Sequence, residues 1–408
     1  MKRQLLSLCS RPAHQHPGRR GTVIILSVVM MLVVLGITAF TVDFGVLNVT
    51  KGQVQNAADS AAHAGLQELS AAIGPGATKT SQAAMTAAGT KAQQMVARFR
   101  SGDVLSTVLD VNRDVRFGRR SWNSTNNAWD LQWGTSPYNM VEVTVRRTQA
   151  ANSQLNTVFA TVFGYSSFDV EAKSVAALAP VSGFSLPSGS TETLELFPFT
   201  VDLTTWNNLV AANLAGNPNA GGTTGGGGTT FKDRYRYVNG VVSSGTDEVL
   251  EINIYPDANT NLPSGNRGTV DIGSPNNSTN DLKRQIQYGI NAYDLSYFPD
   301  GEIKFNSQGT LVLNGDTGIS AGIQASLQAI IGQTRIMPIF TTVSGPGNNA
   351  NYTIVRWVGI RIMAVNLNGG PNNRHLTVQP TMISTSHGIR TNGAVNIDAV
   401  MSQPVLIQ

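Results

Sequence analysis

The sequence predicts an α+β protein: a single N-terminal transmembrane helix that continues into an Ala-rich helical hairpin, then an α+β unit and a β-rich, sandwich-like C-terminal domain. Three observations lead to this prediction. Twenty consecutive uncharged residues lie near the N-terminus, an Ala-rich amphipathic pattern follows them, and apolar residues alternate with polar ones from about residue 104. The chain has 408 residues, 41% of them hydrophobic, which is enough for two or three folded units.

The net charge of +4 belongs to an N-terminal tail, residues 1–21. Five Lys and Arg residues and no acid occur there, which leaves 24 basic against 25 acidic residues in the rest of the chain. This balance argues against a nucleic-acid-binding body, which needs basic residues gathered on a folded face. The only cysteine, Cys9, also lies in the tail, so the body can hold neither a disulfide nor a thiolate metal site.

The uncharged run, residues 23–42, is long enough as a helix to cross the roughly 30 Å hydrocarbon layer. We assign residues 22–42 to a transmembrane helix. A cleaved secretory signal is the alternative, but the run exceeds the usual apolar core of a signal peptide and no small-residue cleavage motif ends it. Basic residues precede the run and Asp43 follows it, so the positive-inside rule predicts a cytoplasmic N-terminus and exported residues 43–408.

Apolar residues recur at helical spacing after the membrane segment, for example at Val54, Ala58 and Ala61. The helix is expected to continue the anchor and to stop near Gly74, and a second amphipathic run follows to about Phe99. These runs predict a helical hairpin over residues 43–103. Its Ala-rich faces bury little area, so we expect it to depend on docking against the next unit.

The remaining chain is predicted to contain two sheet-forming parts. Strands in the unit 104–180 are indicated by alternation around Val143, with a short helix over 153–163 ended by Gly164 and a further strand over 168–179. In the domain 181–408, a flexible Gly/Asn/Thr loop is expected near 207–230, a helix over 281–288, and another from Asp316 or Thr317 to Gly332. The strand candidates there are 194–201, 250–255, 310–313, 335–343, 352–367 and 375–382.

Local motifs near the N-terminus resemble a known family. The motifs are Arg20-Gly21 before the apolar run, Val42-Asp43-Phe44-Gly45 after it, and Gln55-Asn56-Ala57-Ala58-Asp59 further on. With this spacing, residues 19–70 resemble the N-terminal region of the TadG-like (TadE/TadG) proteins of Flp-type pilus assembly in bacteria. His63 departs from the pattern, where Leu is usual. Residues 268–279, 313–323 and 336–363 are similar to the exported part of longer members.

The resemblance implies a single-pass envelope protein of the bacterial inner membrane that acts in Tad/Flp-type pilus assembly or secretion without catalysis. It implies the lipid bilayer and other pilus-assembly or envelope proteins as partners, with self-association left open, and no cofactor. Asp43 and Arg20, one on each side of the bilayer, would hold the depth of the anchor, or Asp43 is an ordinary boundary charge. Gln55 and Asp59, at i and i+4, would contact a partner helix, bond to each other, or simply face solvent.

Specialised sites known in related proteins are not supported by the sequence. Pilin-like proteins carry Glu at the fifth position after the processed Gly, and this chain has Leu26 there. The metal motif of a von Willebrand A domain fails after Asp294, and the loop from Asp257 lacks the Gly and Glu of a calcium loop. His375 and His387 stand without clustered acids, so we expect no metal site.

Three classes of function remain open at this point. The first is the non-enzymatic anchored assembly protein. The second is a processed pilin-like or adhesin-like surface-binding protein, and the third is a membrane-tethered hydrolase. No nucleophile elbow, P-loop or HExxH motif occurs in the sequence, so we expect no enzyme and no catalytic or cofactor-binding residues.

Overall fold

A computed structural model describes residues 20–74, 76–77, 79–215, 231–255, 264–273, 278–345, 347–370, 373–391 and 398–407. Three predicted features fall outside these residues: the tail before residue 20, the Gly-rich stretch 216–230 and the loop that begins at Asp257. The described part confirms a mixed α+β protein with a long apolar N-terminal helix and a β-rich remainder.

The helices vary widely in length. The α-helices of the described residues are α1 (Arg20–Leu69), α2 (Ser81–Val96), α3 (Val111–Asp114), α4 (Leu203–Leu214), α5 (Thr279–Tyr288), α6 (Ala292–Leu295) and α7 (Gln324–Gln328). Short 3-10 helices cover Ser70–Ala72, Ala160–Phe163, Ser264–Asn266, Pro299–Gly301, Ala321–Ile323 and Gly347–Asn349.

All strands of the described residues lie after residue 110. In the described residues they are β1 (Val115–Asn123), β2 (Ala128–Trp133), β3 (Met140–Arg147), β4 (Leu155–Asn156), β5 (Ser167–Phe168), β6 (Val170–Ala177), β7 (Val181–Ser185), β8 (Phe199–Asp202), β9 (Tyr235–Val238), β10 (Val241–Ser244), β11 (Ile252–Asn253), β12 (Arg267–Val270), β13 (Glu302–Lys304), β14 (Leu311–Asp316), β15 (Thr334–Ser344), β16 (Ala350–Asn366), β17 (His375–Pro380), β18 (Ser384–Thr385), β19 (Gly388–Arg390), β20 (Met401–Ser402) and β21 (Val405–Leu406).

The first helix, α1, is continuous over 50 residues. Its first part is the uncharged run, and its second part buries Ala and Leu residues on one face. Gly74 and Gly76 follow its last turn with φ angles of 80° and 79°. Glycine adopts this left-handed conformation without steric cost, and the chain therefore turns here to begin α2.

The second helix, α2, packs against the second part of α1. Thr80 caps α2 by accepting a hydrogen bond from the backbone N–H of Ala83 at 3.2 Å. The two helices approach closely: a Cβ on Gly65 would lie 3.3 Å from the carbonyl oxygen of Ala88 and 3.7 Å from the Cβ of Ala92. Small side chains therefore allow these helices to pack tightly and to share one core with the sheet that follows.

The first sheet is antiparallel in the order β2, β1, β3, β6 and β21. Val141, Val143 and Val145 of β3 pack in the core shared with α1 and α2. Glu142 and Arg146, which alternate with these valines along the strand, form ion pairs on the other face. The last strand, β21, comes from residues 405–406 and pairs with β6, so a strand remote in sequence joins the unit predicted over 104–180.

The β-rich part contains a closed ring of five strands, β8, β12, β14, β16 and β15. The ring closes because the 17-residue β16 pairs with β14 along one edge and with β15 along the other, while β15 pairs in parallel with β8. Register shifts in the β15–β16 pairing bend these strands. This closed arrangement differs from the predicted sandwich, because the bent β16 curls one sheet onto itself.

Two local predictions after residue 150 are wrong. The helix predicted over 153–163 is replaced by β4 and by the 3-10 turn Ala160–Phe163, which ends at Gly164. Asn152 and Ser153 have φ angles of 60° and 59°, which a right-handed helix excludes. The loop predicted near 207–230 is wrong in its first part, because residues 203–214 form α4, which Asp202 caps and which buries Trp206.

The last predicted helix is shorter than expected. Ser320, rather than Asp316 or Thr317, caps its beginning, and the segment consists of the 3-10 turn Ala321–Ile323 followed by α7. Ile323 and Leu327 are buried as the spacing predicted, and Gly332 has a φ of 84° beyond the end. The apolar face was therefore predicted better than the helix boundaries.

Candidate functional site

The first part of α1 presents apolar side chains on all sides. Ile24, Leu32 and Phe40 are 66%, 64% and 70% exposed, and none of residues 23–42 is buried. Among the described residues, α1 is the one helix long and apolar enough to cross a membrane. A helix that is apolar all round and uncovered by protein is typical of one surrounded by lipid.

The second part of α1 lies in the core of the body. Val54, Ala61, Leu66 and Leu69 are fully buried against α2 and the first sheet. The candidate membrane segment and this buried part belong to the same helix, without a break between them. The helix therefore connects the candidate membrane segment to the core of the body directly, and not through a flexible linker.

Asp43 connects α1 to a loop 115 residues further along the chain. Its Oδ1 accepts a hydrogen bond from the backbone N–H of Val158 at 2.9 Å. Its Oδ2 accepts from Phe159 at 3.0 Å and from Ala160 at 2.5 Å. Bonds from backbone N–H groups to a carboxylate are charge-assisted and stronger than neutral ones. Asp43 thus has an intramolecular partner, which neither sequence interpretation of this residue included.

The loop held by Asp43 is named here the boundary loop, residues 157–168. It contains no charged residue, and its apolar side chains Val158, Phe159 and Tyr165 are 64%, 41% and 62% exposed. An apolar cleft of about 260 Å³ lies between the boundary loop and α1. This loop was not predicted, because a helix was expected there, although its uncharged, aromatic composition was a visible signal.

The family motif Gln55–Asp59 serves mainly the internal packing of the protein. Ala57 and Ala58 are buried, and the Nε2 of Gln55 donates to the Oδ1 of Asp59 at 2.8 Å, which was one of the predicted alternatives. The same Nε2 lies 3.4 Å from the backbone carbonyl oxygen of Lys173 in β6. Asn56 is exposed. The motif therefore leaves Asn56 and part of Asp59 accessible at the surface of α1.

The other predicted boundary residues lie along the same helix but are not brought together by it. Arg20 and Gly21 form its first turn, and Gly45 is exposed, with no atom within 4 Å of the position a Cβ would take. At a rise of about 1.5 Å per residue, Asp43 lies roughly 35 Å along the axis from Arg20. The motif residues therefore lie at separate positions along α1 and do not form a pocket.

Residues that the sequence analysis considered for metal binding have structural contacts. Asp294 accepts a hydrogen bond from the backbone N–H of Asn291, the N-cap residue of α6, and its Oδ1 lies 2.5 Å from the Nη2 of Arg284. The Nε2 of His387 lies 2.8 Å from the carboxylate of Glu192, and the Nδ1 of His375 lies 3.1 Å from a backbone carbonyl. Within the part of the chain that the structure describes, no group of three His, Cys, Asp or Glu side chains is placed to hold a metal ion.

Three carboxylates in the β-rich part lie close enough to interact. The pKa of Glu251 is raised to about 8: burial is the main cause, two backbone N–H groups oppose it, and the charges of Asp233 and Asp247 add to it. Those N–H groups, from Arg234 and Tyr235, each donate to Glu251 at 2.8 Å. Perturbed carboxyl groups often mark active sites. Here their hydrogen bonds hold the backbone around the β9–β10 hairpin in place.

Comparison with protein-family models identifies part of α1 as similar to a known family. Residues 21–72 match the model of the Tad family, described as "Putative Flp pilus-assembly TadE/G-like". These residues are a Tad-like segment. The match confirms the predicted resemblance of the N-terminal region, and it ends where α1 and the following 3-10 turn end.

The Tad-like segment contains both parts of α1, from the apolar run to the buried Ala-rich face. It accounts for 52 of the 408 residues. No curated protein and no solved structure matches the chain. The similarity of residues 268–279, 313–323 and 336–363 to longer members of the family stays a prediction.

Proposed function

We propose that this protein is a non-enzymatic, single-pass envelope protein of a Tad/Flp-type pilus assembly or secretion system, which presents an exported body to pilus or envelope partners. One observation carries the proposal. The Tad-like segment is a single helix whose first part is apolar on all sides and whose second part is buried in the body. Such a helix anchors the body and sets its orientation at the membrane.

The proposed orientation places the N-terminus in the cytoplasm and residues 43–408 outside the inner membrane. The five basic residues before residue 22 and the acidic Asp43 support this orientation through the positive-inside rule. Salt bridges and caps account for Asp294 and His387, two residues that the sequence analysis weighed as site candidates. Their structural roles support an interaction protein over the hydrolase alternative.

Cysteine labelling in intact spheroplasts tests the orientation. The native Cys9 lies in the basic tail, and a Ser188→Cys substitution in a Cys9→Ser background supplies an exposed thiol in the body. A membrane-impermeant maleimide is expected to label position 188 at once and Cys9 only after permeabilisation. Labelling of Cys9 in intact spheroplasts would refute the orientation.

The assembly role is tested separately from the anchor. Deleting the gene is expected to abolish surface fibres, and the full chain is expected to restore them. Intact mass and N-terminal sequencing of protein from washed membranes and from sheared fibres address the pilin-like alternative. A chain that begins at Thr22 and is found in fibres would favour a processed pilin, whereas an N-terminus upstream of Gly21 in membranes supports the assembly role.

A further inference from the structure

We infer that the boundary loop is a second lipid-binding element, which lies in the interface of the membrane that α1 crosses. The inference rests on the proposed spanning role of α1. Residues 157–168 would contact the headgroups and the upper acyl chains of the leaflet on the exported side. The partner of the loop is therefore the bilayer itself.

The position of the boundary loop along α1 supports this inference. Asp43 is the first charged residue after the uncharged run, at about 30 Å from its beginning, so it lies at the surface of a bilayer spanned by that run. Three hydrogen bonds from Val158, Phe159 and Ala160 hold the loop backbone to this carboxylate. The loop is therefore fixed at the depth where the helix leaves the hydrocarbon.

The composition and exposure of the loop fit an interfacial location. All twelve residues are uncharged, and four of them are aromatic. The side chains of Val158, Phe159 and Tyr165 are exposed at the surface of the body. Aromatic side chains concentrate at membrane–water interfaces, where an apolar ring and a polar edge are both satisfied. Tyr165, stacked on Phe168 at 6.3 Å between ring centroids, has such a ring and a hydroxyl.

The neighbouring surface of α1 remains apolar beyond Asp43. Phe44, Val46 and Val49 are 52%, 39% and 62% exposed, and the next charged residue is Lys51. Phe44 also stacks on Phe40, with ring centroids 5.8 Å apart. The boundary loop and this part of α1 line the two sides of the apolar cleft. The apolar surface of the anchor thus continues past Asp43 onto the loop.

This continuity favours lipid over a protein partner. The patch is continuous with a membrane-spanning surface, and its one charged side chain is Asp43. Such a surface meets the bilayer before any soluble protein. The carboxylate of Asp43 would lose water on contact with the membrane interface. Its two oxygens accept three backbone hydrogen bonds, which lower the cost of losing that water. A pilus subunit seated in the cleft is the competing outcome that the experiment distinguishes.

Spin labels on the full chain in lipid nanodiscs test the inference. In a Cys9→Ser background, Val158→Cys is compared with Val241→Cys, because both valines are 64% exposed and Val241 lies on β10 of the β-rich part. Val33→Cys, within the uncharged run, reports on the anchor itself. Collisions of each label with oxygen, which concentrates in lipid, are compared with collisions with a water-soluble nickel chelate.

The expected result is that oxygen collisions exceed nickel collisions at positions 33 and 158, and that the order is reversed at position 241. Nickel-dominated collisions at 158 with oxygen-dominated collisions at 33 would overturn the inference and leave the anchor intact. Nickel-dominated collisions at 33 would instead refute the spanning role. Low collision rates with both reagents at 158 would indicate a protein contact and also overturn the inference.

An Asp43→Ala substitution tests whether the carboxylate positions the loop. It removes the acceptor of all three hydrogen bonds, so the label at position 158 is expected to gain nickel collisions while the label at position 33 is unchanged. Asp43→Asn, which keeps one side-chain oxygen, is expected to give an intermediate value. An unchanged collision ratio at 158 in the Asp43→Ala chain would show that Asp43 does not position the loop.

Discussion

Asp271 offers a sharp test of the electrostatics inside the β-rich part. It follows β12, is only 8% exposed, and neither carboxylate oxygen has a hydrogen-bond partner among the described residues. Burial, together with the nearby negative charges of Asp281 and Asp316, raises its pKa from 3.8 to about 7. The perturbation is Asp271→Asn, which keeps the shape of the side chain and removes its charge.

The sign of the pH effect follows from where the proton is bound. Below pH 3.8 the carboxyl group of Asp271 is neutral in both the folded and the unfolded chain. As the pH rises from there to about 7, the unfolded chain releases a proton that the folded chain keeps, so the free energy of unfolding falls. The shift corresponds to a loss on the order of 4 kcal/mol across this range.

Urea unfolding of the full chain in nanodiscs measures this effect, with fluorescence of the buried Trp206 and Trp357 as the signal. The difference in unfolding free energy, Asp271→Asn minus wild type, is expected to become more positive between pH 4 and pH 8. Glu251, whose pKa is about 8, contributes the same pH dependence to both chains and cancels.

The exposed Glu195 provides a matched control, because Glu195→Gln also removes one negative charge. This variant is expected to follow the wild-type pH profile. A difference between Asp271→Asn and wild type that stays constant from pH 4 to pH 8 would contradict the reasoning, since it would show that the carboxyl group titrates alike in the folded and unfolded chains.

Three further predictions concern the packing of the body, and urea midpoints measure the first two. Ala58→Leu is expected to cost about 1–3 kcal/mol because Ala58 is fully buried, whereas Asn56→Leu on the exposed side should change stability by less than about 0.5 kcal/mol. Arg147→Met should cost about 3 kcal/mol or more, because this fully buried guanidinium donates to the carbonyls of Ser101, Ser153 and Gln154. Equal urea midpoints for Arg147→Met and for the control Arg98→Met, at an exposed arginine, would contradict this prediction. A chain ending at Gln403 lacks β21 and is expected to aggregate through the open edge of β6, which light scattering would detect; a monodisperse product would refute this.

The sequence predicted features that arise from short-range patterns. The absence of charge over residues 23–42 predicted the apolar part of α1, and the alternation around Val143 predicted β3, because both patterns reflect a local period. The family motifs around Asp43 and Asp59 also predicted the Tad-like segment that the comparison found.

Features that depend on distant contacts could not be predicted. β21 has two residues and no pattern of its own, so its pairing with β6 was not visible. The ring closes through pairing between β15 and β8, which are more than 130 residues apart in sequence. The bonds from Asp43 to the boundary loop depend on a turn after Ser153, whose positive φ the sequence did not indicate. In each case tertiary structure, and not local propensity, determined the outcome.

The pairing of β21 with β6 also has a consequence for how the protein is made. In the proposed orientation, α1 enters the membrane while more than 300 residues still have to be exported. The sheet on which α1 and α2 pack keeps an unpaired edge until residues 405–406 arrive. During export, the nascent body therefore carries an open strand at the membrane surface, and we expect a chaperone or slow release to protect it from pairing with a neighbouring chain.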